Sequence, residues 1–545
     1  MDDKTGVSAH HSTFEYDQSP DNEDSGHSSR SRGHDEADMN RIGVKQELRR
    51  NFHSISTFSL TCIVMGTWMG MIAYVVRPGP YVLANPIATL RSSSFSLING
   101  GRAGTVWIYI ITWIFQIPVI ASMAEMASMA PTSAGQYHWV SEFAPPSMQN
   151  FLSYISGWLS ALGWNSNIAV TAYVAANIIL ALVSLAHPSY APQPWQQTVM
   201  MIGLVVVAIL FNAFGARMLP SFEGGLLIID IIGFFAVLIP LWVLAPKVSA
   251  HDIFASFFNG GEWSSTGAAV IVGILAPAGA FIGADSAAHL SEEVANASLT
   301  VPRVMFATVL INGALGLVAI VSYVACIQDV EEQILNSTFA FPFMEVFQTA
   351  TGSTAGAIGM SVPFVVLAFS MTLNSVAAAS RQAWSFGRDG GLPCSPWFHK
   401  VHVVFGQPLP INAMFSTLIM TIVLGLINLG SAEAFNSIGG LISGAIALTY
   451  GLSIGCVLWR RLFGQPLPYA RWSLGRLGLL TNATGFLFEM FVMVMSFFPL
   501  FSTVTAKTMN WGIAMFGGAS IICAIYYVVQ GRKVYVGPVA RVKRE

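Results

Sequence analysis

The stretch Gly273–Glu293, GILAPAGAFIGADSAAHLSEE, begins as an apolar membrane-spanning segment and then loses that character. The apolar run is interrupted near its middle by Gly279, Gly283, Ala284 and Asp285. A bilayer tolerates a broken helix only where the freed backbone groups are buried in protein or line a cavity. A break with polar side chains beside it therefore predicts a ligand site inside a membrane transporter.

The residues at the break suggest how a ligand is held. Backbone N–H groups freed at Gly283 and Ala284 would face a substrate carboxylate. At Asp285 two interpretations stay open, because its carboxylate would either contact a cationic substrate group or cap the second half of the helix. His289 lies one helical turn later and is either a packing residue or a proton relay.

Charged side chains near the ends of the apolar runs form a candidate gate. Two glutamates follow the break, and two arginines and an aspartate follow another apolar run in the motif SRQAWSFGRDGG. We expect ion pairs among them, or between the glutamates and Arg303, rather than catalysis. These gate residues are Glu292, Glu293, Arg381, Arg388 and Asp389.

Composition separates a polar tail from an apolar body. The chain has 545 residues, of which 54% are hydrophobic and 10% are charged, whereas soluble proteins carry about a quarter charged residues. Residues 1–50 are polar and without periodicity, so a disordered tail is predicted. The net charge of −2 and the lack of a broad basic patch give no reason to expect a nucleic-acid partner.

Known catalytic and cofactor motifs are missing from the sequence. It contains no HExxH, no GxSxG and no P-loop lysine, which argues against an enzyme and against an ATP-driven pump. The five cysteines are scattered without metal-ligand spacing, so no metal or other cofactor is expected.

Apolar runs of about 20 residues predict an all-α membrane protein in contact with lipid, with about twelve spanning helices in residues 51–530. Basic residues between the runs place both termini, including the tail 531–545, in the cytoplasm. The predicted spans are 55–76, 104–125, 151–185, 197–216, 222–245, 267–290, 303–327, 355–380, 411–430, 434–459, 477–501 and 510–530.

An inverted repeat would require a break in the first span that matches the break in the sixth. The candidate is the triplet Asn99, Gly100 and Gly101, since two glycines after an asparagine allow a sharp turn with positive φ. We therefore predict that this triplet contributes to the substrate site.

Three long motifs carry a family resemblance. They are SMAEMASMAPTSAGQYHWVSEFAPP at 122–146, FIGADSAAHLSEEVANASLTVPR at 281–303 and SRQAWSFGRDGGLP at 380–393. In this order they resemble fungal permeases of the amino acid–polyamine–organocation superfamily, in the branch of GABA and choline permeases. The resemblance covers about residues 50–530.

The resemblance implies a fold and a mechanism. It implies two inverted halves of five helices plus two further helices, with a central site between unwound helices 1 and 6, lined by helices 3 and 8. Proton-coupled alternating access is implied in the same way. Trp164 and Asn165 on the third span and Asn374 on the eighth are then candidates for substrate contact, although such amides also bond across helices. Asp230 on the fifth span joins His289 as a proton-coupling candidate.

One segment departs from the family pattern. About 20 residues, 71–91, separate the first span from the Asn-Gly-Gly triplet, and they include Arg77-Pro78-Gly79-Pro80 and Arg91. Proline cannot continue a helix, and arginines are costly in lipid. We hypothesise a retained intron or a wrongly assigned exon, which mature transcripts containing the segment would reject.

The leading prediction is a plasma-membrane secondary transporter that imports a small amino acid or GABA-like amine with protons. A first alternative is a permease of the same fold for choline or another quaternary amine, which needs an aromatic or anionic cage. An alternative of another class is a nutrient sensor that binds without transport and signals through residues 1–50.

Overall fold

The computed structural model describes residues 25–73, 75–76, 91–335, 337, 339–506 and 508–539 of the chain. Within these residues, eleven helices are long and apolar enough to cross a membrane. In chain order they are Ser54–Ala73, Gly101–Met129, Gln149–Ala186, Pro194–Phe214, Leu219–Leu244, Ala297–Cys326, Thr354–Arg388, Ile411–Gly430, Ala434–Phe463, Gly475–Met495 and Gly512–Val534. We number these as spans 1–5 and 7–12.

The sixth span is present in pieces. Ser265 caps its first piece by accepting a hydrogen bond from the Ala268 N–H at 3.1 Å. Its three helices are Thr266–Val272, Leu275–Ala280 and Ser286–His289. The prediction of an all-α membrane protein with about twelve spans is confirmed, and the sequence located the broken one correctly.

Shorter elements in the described residues precede the spans, connect them or form part of spans 10–12. The α-helices are Ser25–Arg41, Ser93–Ile98, Gln136–Phe143, Ala250–Ala255, Pro342–Thr351, Ser395–Phe398, Ala432–Asn436 and Arg532–Val534. Four short strands form two antiparallel pairs, β1 (Val75–Val76) with β2 (Arg91–Ser92) and β3 (His402–Val404) with β4 (Gln407–Leu409). Single helical turns of other types occur at Ser291–Glu293, Glu331–Leu335, Gly475–Leu477 and Tyr527–Gly531.

Burial divides the spans into a core and a periphery. The most apolar window of span 1 is 89% buried, whereas that of span 12 is 11% buried. A helix that is apolar all round and exposed in the protein faces lipid. Span 1 therefore lies at the centre of the bundle, and span 12 lies against the membrane.

The described residues on either side of the unusual segment after span 1 pair with each other. Val75 pairs with Ser92 and Val76 pairs with Arg91, so both ends of the segment meet. Helix Ser93–Ile98 then leads into span 2. Residues 77–90, which include Arg77, Pro78, Gly79 and Pro80, lie outside the described residues, and the intron hypothesis stays a prediction.

The predicted disorder of residues 1–50 is wrong for residues 25–50. Ser25–Arg41 is helical, and the end of this helix and the chain after it pack on the membrane domain, burying Met39, Ile42 and Leu48. These scattered apolar side chains cover one end of the bundle, which local composition does not reveal. Residues 1–24 lie outside the described residues.

Both described chain ends meet the same end of the bundle, which we call the tail end. The Arg50 guanidinium donates to the Ser291 carbonyl at 3.0 Å. From the other terminus, the Val536 N–H donates to the Asp389 carbonyl at 3.2 Å. The tail end therefore carries the turn at Ser291–Glu293 and the end of span 8, and the opposite end is called the far end.

Candidate functional site

Two broken helices meet at the centre of the bundle. Span 1 breaks at Gly66, which has φ +45° and ends Ser54–Met65 before Thr67–Ala73 begins. Span 6 breaks at Gly283, which has φ +117°. A β-carbon on Gly283 would lie 2.8 Å from Val64 Cγ1, so the two breaks are in direct contact.

The predicted position of the first break is wrong. Asn99 and Gly100 connect helix Ser93–Ile98 to span 2, which begins at Gly101, because the chain has to turn there into the next span. The Asn99 side-chain amide donates to the Leu500 carbonyl at 2.9 Å. The triplet thus forms a turn at the far end, away from Gly283.

Asp285 is fully buried directly after the span 6 break. Its Oδ2 atom accepts hydrogen bonds from Gln136 Nε2 at 2.7 Å and from Trp164 Nε1 at 3.2 Å. Its Oδ1 atom accepts from the Tyr450 hydroxyl at 2.6 Å. One carboxylate thus connects span 6 with the loop after span 2, with span 3 and with span 10.

The interpretation of Asp285 as a helix cap is not borne out. The Asp285 side chain makes no capping hydrogen bond to helix Ser286–His289, because both oxygens face partners from other parts of the chain. Its network instead closes the space between the break and the tail end. We call Gln136, Trp164, Asp285, His289 and Tyr450 the Asp285 network.

His289 completes this network. Its Nδ1 atom lies 3.0 Å from the Ser133 carbonyl, which only accepts, so Nδ1 carries a hydrogen. Its Nε2 atom lies 3.4 Å from Asp285 Oδ2. A proton on Nε2 makes this contact an ion pair, whereas a neutral ring places a lone pair against the carboxylate.

A cavity of about 120 Å³ lies on the far-end side of the two breaks. Its walls come from spans 1, 3, 6 and 10 and from the segments beside them. Polar but uncharged side chains and one aromatic ring, Phe95, face it. The lining residues are Gly70, Phe95, Asn167, Val170, Leu275, Ala276, Gly279, Ile282, Asn436, Gly439, Gly440, Ile442, Ser443, Leu500 and Asn510.

The side chains predicted to bind substrate are not among the described residues that line this cavity. Trp164 belongs to the Asp285 network, and Asn165 donates to its own helix at the Ala161 carbonyl, at 2.7 Å. The Asn374 amide donates to Glu223 Oε2 at 3.2 Å. Gly283 and Ala284 follow the lining residue Ile282 directly, so their backbone borders the cavity.

The predicted gate residues come together at the tail end. Arg388 donates to both oxygens of Glu292, at 3.1 and 3.0 Å, and Arg381 donates to Glu293 at 2.6 Å. The Tyr137 hydroxyl donates to Asp389 at 2.8 Å. Two-pronged arginine–carboxylate pairs are strong and directional. The ion pairs connect the end of span 8 to the turn after span 6.

Beside this gate, burial lowers the pKa of His138 to about 3, so its ring stays neutral at physiological pH. Of the two arginines considered as partners of the gate glutamates, Arg381 pairs with Glu293, whereas Arg303 forms no ion pair within the described residues; Glu292 pairs with Arg388 instead.

Two buried carboxylates line the seam between spans 1 and 5. Asp230 is 7% exposed and accepts from Trp68 Nε1 at 2.9 Å. Glu223, which the sequence analysis did not single out, is 0% exposed and accepts from Ser59 Oγ at 3.3 Å and from Asn374. Like Asp230, it is an isolated acid in an apolar run, and that signal was available in the sequence. Gly66 was similarly visible as a glycine inside span 1.

Gln136 and Tyr450 carried no comparable signal. Each lies more than 140 positions from Asp285 in the chain and becomes a partner only through packing. Polar side chains in this sequence are too numerous for their pairing to be inferred without the tertiary structure.

Comparison with known proteins gives the family. A sequence profile described as amino acid permease matches residues 55–519. The chain belongs to the amino acid permease family. Since eleven apolar helices accompany the match, this permease is a multi-pass integral membrane protein and a transporter, not an enzyme.

Fungal relatives of this permease are similar over most of their length. An uncharacterized amino-acid permease of Schizosaccharomyces pombe is 29% identical over 539 residues, covering 95% of this chain and 90% of that one. The choline transporter of Saccharomyces cerevisiae is 28% identical, covering 80% and 76% of the two chains. The GABA-specific permease of the same yeast is 26% identical, covering 91% and 84%.

Solved structures with the same fold include the manganese transporter of Eremococcus coleocola. One of its structures superimposes with a TM-score of 0.52 and covers 90% of this chain and 94% of that chain. The identity is 12%, so the likeness concerns the fold alone.

Proposed function

We propose that this permease is a secondary active transporter that imports a small amino acid or a GABA-like amine by alternating access. The observation that carries the proposal is the contact between the breaks at Gly66 and Gly283, with a cavity on one side and a closed network on the other. Broken helices at mid-membrane present backbone N–H and C=O groups to a ligand.

The chemistry of the cavity supports a zwitterion. Its described lining has no charged side chain, so backbone groups beside Ile282 and Gly283 would meet both the carboxylate and the ammonium group. Asn167, Ser443 and Asn510 offer further hydrogen bonds of either polarity. A zwitterion has no net charge, which suits a neutral cavity within the membrane.

We further propose that the tail end faces the cytoplasm, that the protein resides in the plasma membrane and that transport is coupled to protons. Most basic residues of the connecting loops lie at the tail end, as the positive-inside rule expects for a cytoplasmic face. Asp230 and His289 are the proton-carrier candidates, since each is a buried titratable group beside a break. The gate pairs Glu292–Arg388 and Glu293–Arg381 would open when substrate leaves.

The choline alternative has one observation in its favour, the 28% identity to a yeast choline transporter. A quaternary ammonium ion binds best to aromatic faces or to a carboxylate. The described cavity lining offers one aromatic ring, Phe95, and no carboxylate. An amino acid therefore fits the cavity better.

Uptake in a permease-deficient yeast tests the proposal. Radiolabelled alanine, GABA and choline would be measured at pH 5 and pH 7, with and without an uncoupler. We expect accumulation of alanine or GABA that the uncoupler abolishes. Uptake of choline alone would favour the alternative. If the protein reaches the cell surface and binds ligand there but gives no uptake, the result would favour the sensor and contradict transport.

A further inference from the structure

Glu223 lies where three spans meet. It is on span 5, near the tail end, and its Oε2 atom accepts from Ser59 of span 1 and from Asn374 of span 8. The Ser59 hydroxyl also contacts the Glu223 backbone carbonyl. Relative movement of span 1 against spans 5 and 8 would therefore change the surroundings of this carboxyl group.

The second oxygen of the Glu223 carboxyl group has no hydrogen-bond partner among the described residues. Glu223 Oε1 and Asn374 Oδ1 are both buried and have no hydrogen-bond partner among the described residues. Both are acceptor atoms when the carboxyl group is ionised. A buried acceptor without a donor costs about 1–3 kcal/mol, and an ionised one costs more.

No positive side chain of the described chain acts on Glu223 to compensate for a charge there. Within the described residues, the groups that act on Glu223 are Ser59 and Asn374, and neither is charged. Glu223 also takes part in none of the ion pairs of the described chain. A buried carboxylate without a cation is strongly disfavoured, whereas a proton on Oε1 removes the charge and supplies a donor.

Asp230 is seven residues further along span 5, so the two acids lie on the same face, about 10 Å apart along the helix axis. Both face span 1: Asp230 contacts Trp68, after the break, and Glu223 contacts Ser59, before it. The seam between spans 1 and 5 thus has one carboxyl group on each side of the Gly66 break.

We propose that Glu223 binds the transported proton while the tail end is closed and releases it to the tail-end side when span 1 separates from spans 5 and 8. This assignment rests on the proton coupling put forward under Proposed function. In the step, one proton from the far-end solution joins the Glu223 carboxylate, and the O–H bond breaks again when water reaches the group. No electrons move, and the proton leaves as hydronium on the tail-end side.

The variant Glu223→Gln tests the assignment in purified protein reconstituted into liposomes. The amide keeps a hydrogen-bond donor at the site but cannot release a proton. With an inward proton gradient, we expect the ratio of internal to external substrate concentration to fall to one in this variant. The rate of substrate counterflow should stay within about twofold of that of the unmutated protein. The probes are radiolabelled alanine, GABA and choline, with Na⁺ present or replaced by K⁺.

Glu489→Gln is the matched control. Glu489 is another buried glutamate, hydrogen-bonded to Gln116 at 3.2 Å between spans 2 and 11, away from the seam. We expect this variant to accumulate substrate with the pH profile of the unmutated protein. Glu223→Asp is a second test variant, because it keeps a carboxyl group on a shorter side chain. The pH at which its uptake is half-maximal should differ from that of the unmutated protein.

The outcomes separate two failures. If the unmutated permease shows no response to a proton gradient, or needs Na⁺ instead, proton coupling itself is wrong. If it is proton-driven and Glu223→Gln accumulates substrate equally well, only the assignment to Glu223 is wrong. Should Glu223→Gln fail to fold in size-exclusion chromatography, an unchanged pH midpoint in Glu223→Asp overturns the assignment.

Discussion

At the scale of single residues, Asp285 shows how a polar side chain is supported in the middle of a membrane. Gln136, Trp164 and Tyr450 each donate a hydrogen bond to it, and His289 lies beside it. A fully buried carboxylate needs such partners, because an unpaired charge at this depth is costly. The sequence identified the acid and its position, but its role as the centre of a network came from partners far away in the chain.

Asp285→Asn is expected to reduce uptake about tenfold or more without loss of surface expression. In either orientation, the asparagine NH₂ group would face a hydrogen-bond donor, either from Gln136 and Trp164 or from Tyr450. The lost hydrogen bonds would cost about 1–3 kcal/mol. Radiolabelled uptake and surface labelling measure both effects. The exposed Asp252→Asn is the control, and full transport in Asp285→Asn would show that the carboxylate is dispensable.

Asp230→Asn is expected to change the pH profile of uptake. Asp230 has one hydrogen-bond donor, Trp68, so its protonation depends mainly on access to water at the break. Uptake between pH 4.5 and 7.5 measures the profile, with the surface variant Glu262→Gln as the control. A profile that coincides with that of the unmutated protein excludes Asp230 as a proton carrier.

At the scale of elements, each of the two broken spans depends on a glycine at its break. The backbone conformation there would be strained for any other residue. Gly66 and Gly283 both have positive φ, and Gly283 has no room for a side chain beside Val64. The break in span 6 can be predicted from the sequence because glycines and a polar residue occur together there. The predicted first break is at Asn99–Gly101 and not at Gly66, since a lone glycine is weaker evidence than a Gly-Gly pair.

Gly283→Ala is expected to destabilise the protein by about 1–3 kcal/mol, because alanine at φ +117° is strained and its β-carbon overlaps Val64 Cγ1. The melting temperature in detergent measures the effect. Gly203→Ala is the control, since nothing lies within 4 Å of its added methyl group in span 4. Equal melting temperatures for both variants would contradict the packing of the two breaks.

At the scale of the whole molecule, the chain ends close the tail end. The Asp35 carboxylate accepts from the N–H groups of Asn296 and Ala297, at 2.8 and 3.0 Å, and so caps span 7. Phe52 forms a parallel bridge with Val294. Burial raises the pKa of Glu47 in the same segment. The N-terminal segment therefore holds the turn that carries the gate glutamates.

Asp35→Ala is expected to lower stability by about 1 kcal/mol through loss of the cap, and to release residues 25–52 from the tail end. Hydrogen exchange of this segment, together with the melting temperature, measures both effects. Its exposed neighbour provides the matched control Glu36→Ala. Exchange that is equally slow in the two variants would argue against Asp35 as the anchor.

The sequence by itself determined the class, the number of spans and the break in span 6. These properties depend on local features, namely the length of apolar runs and the clustering of glycine with polar residues. Only the tertiary structure decided which groups meet: Asp285 with Tyr450, Glu223 with Asn374, and the N-terminal segment with span 7. The physical reason is that hydrogen bonds between distant segments depend on how the spans pack. Composition and periodicity describe each segment alone.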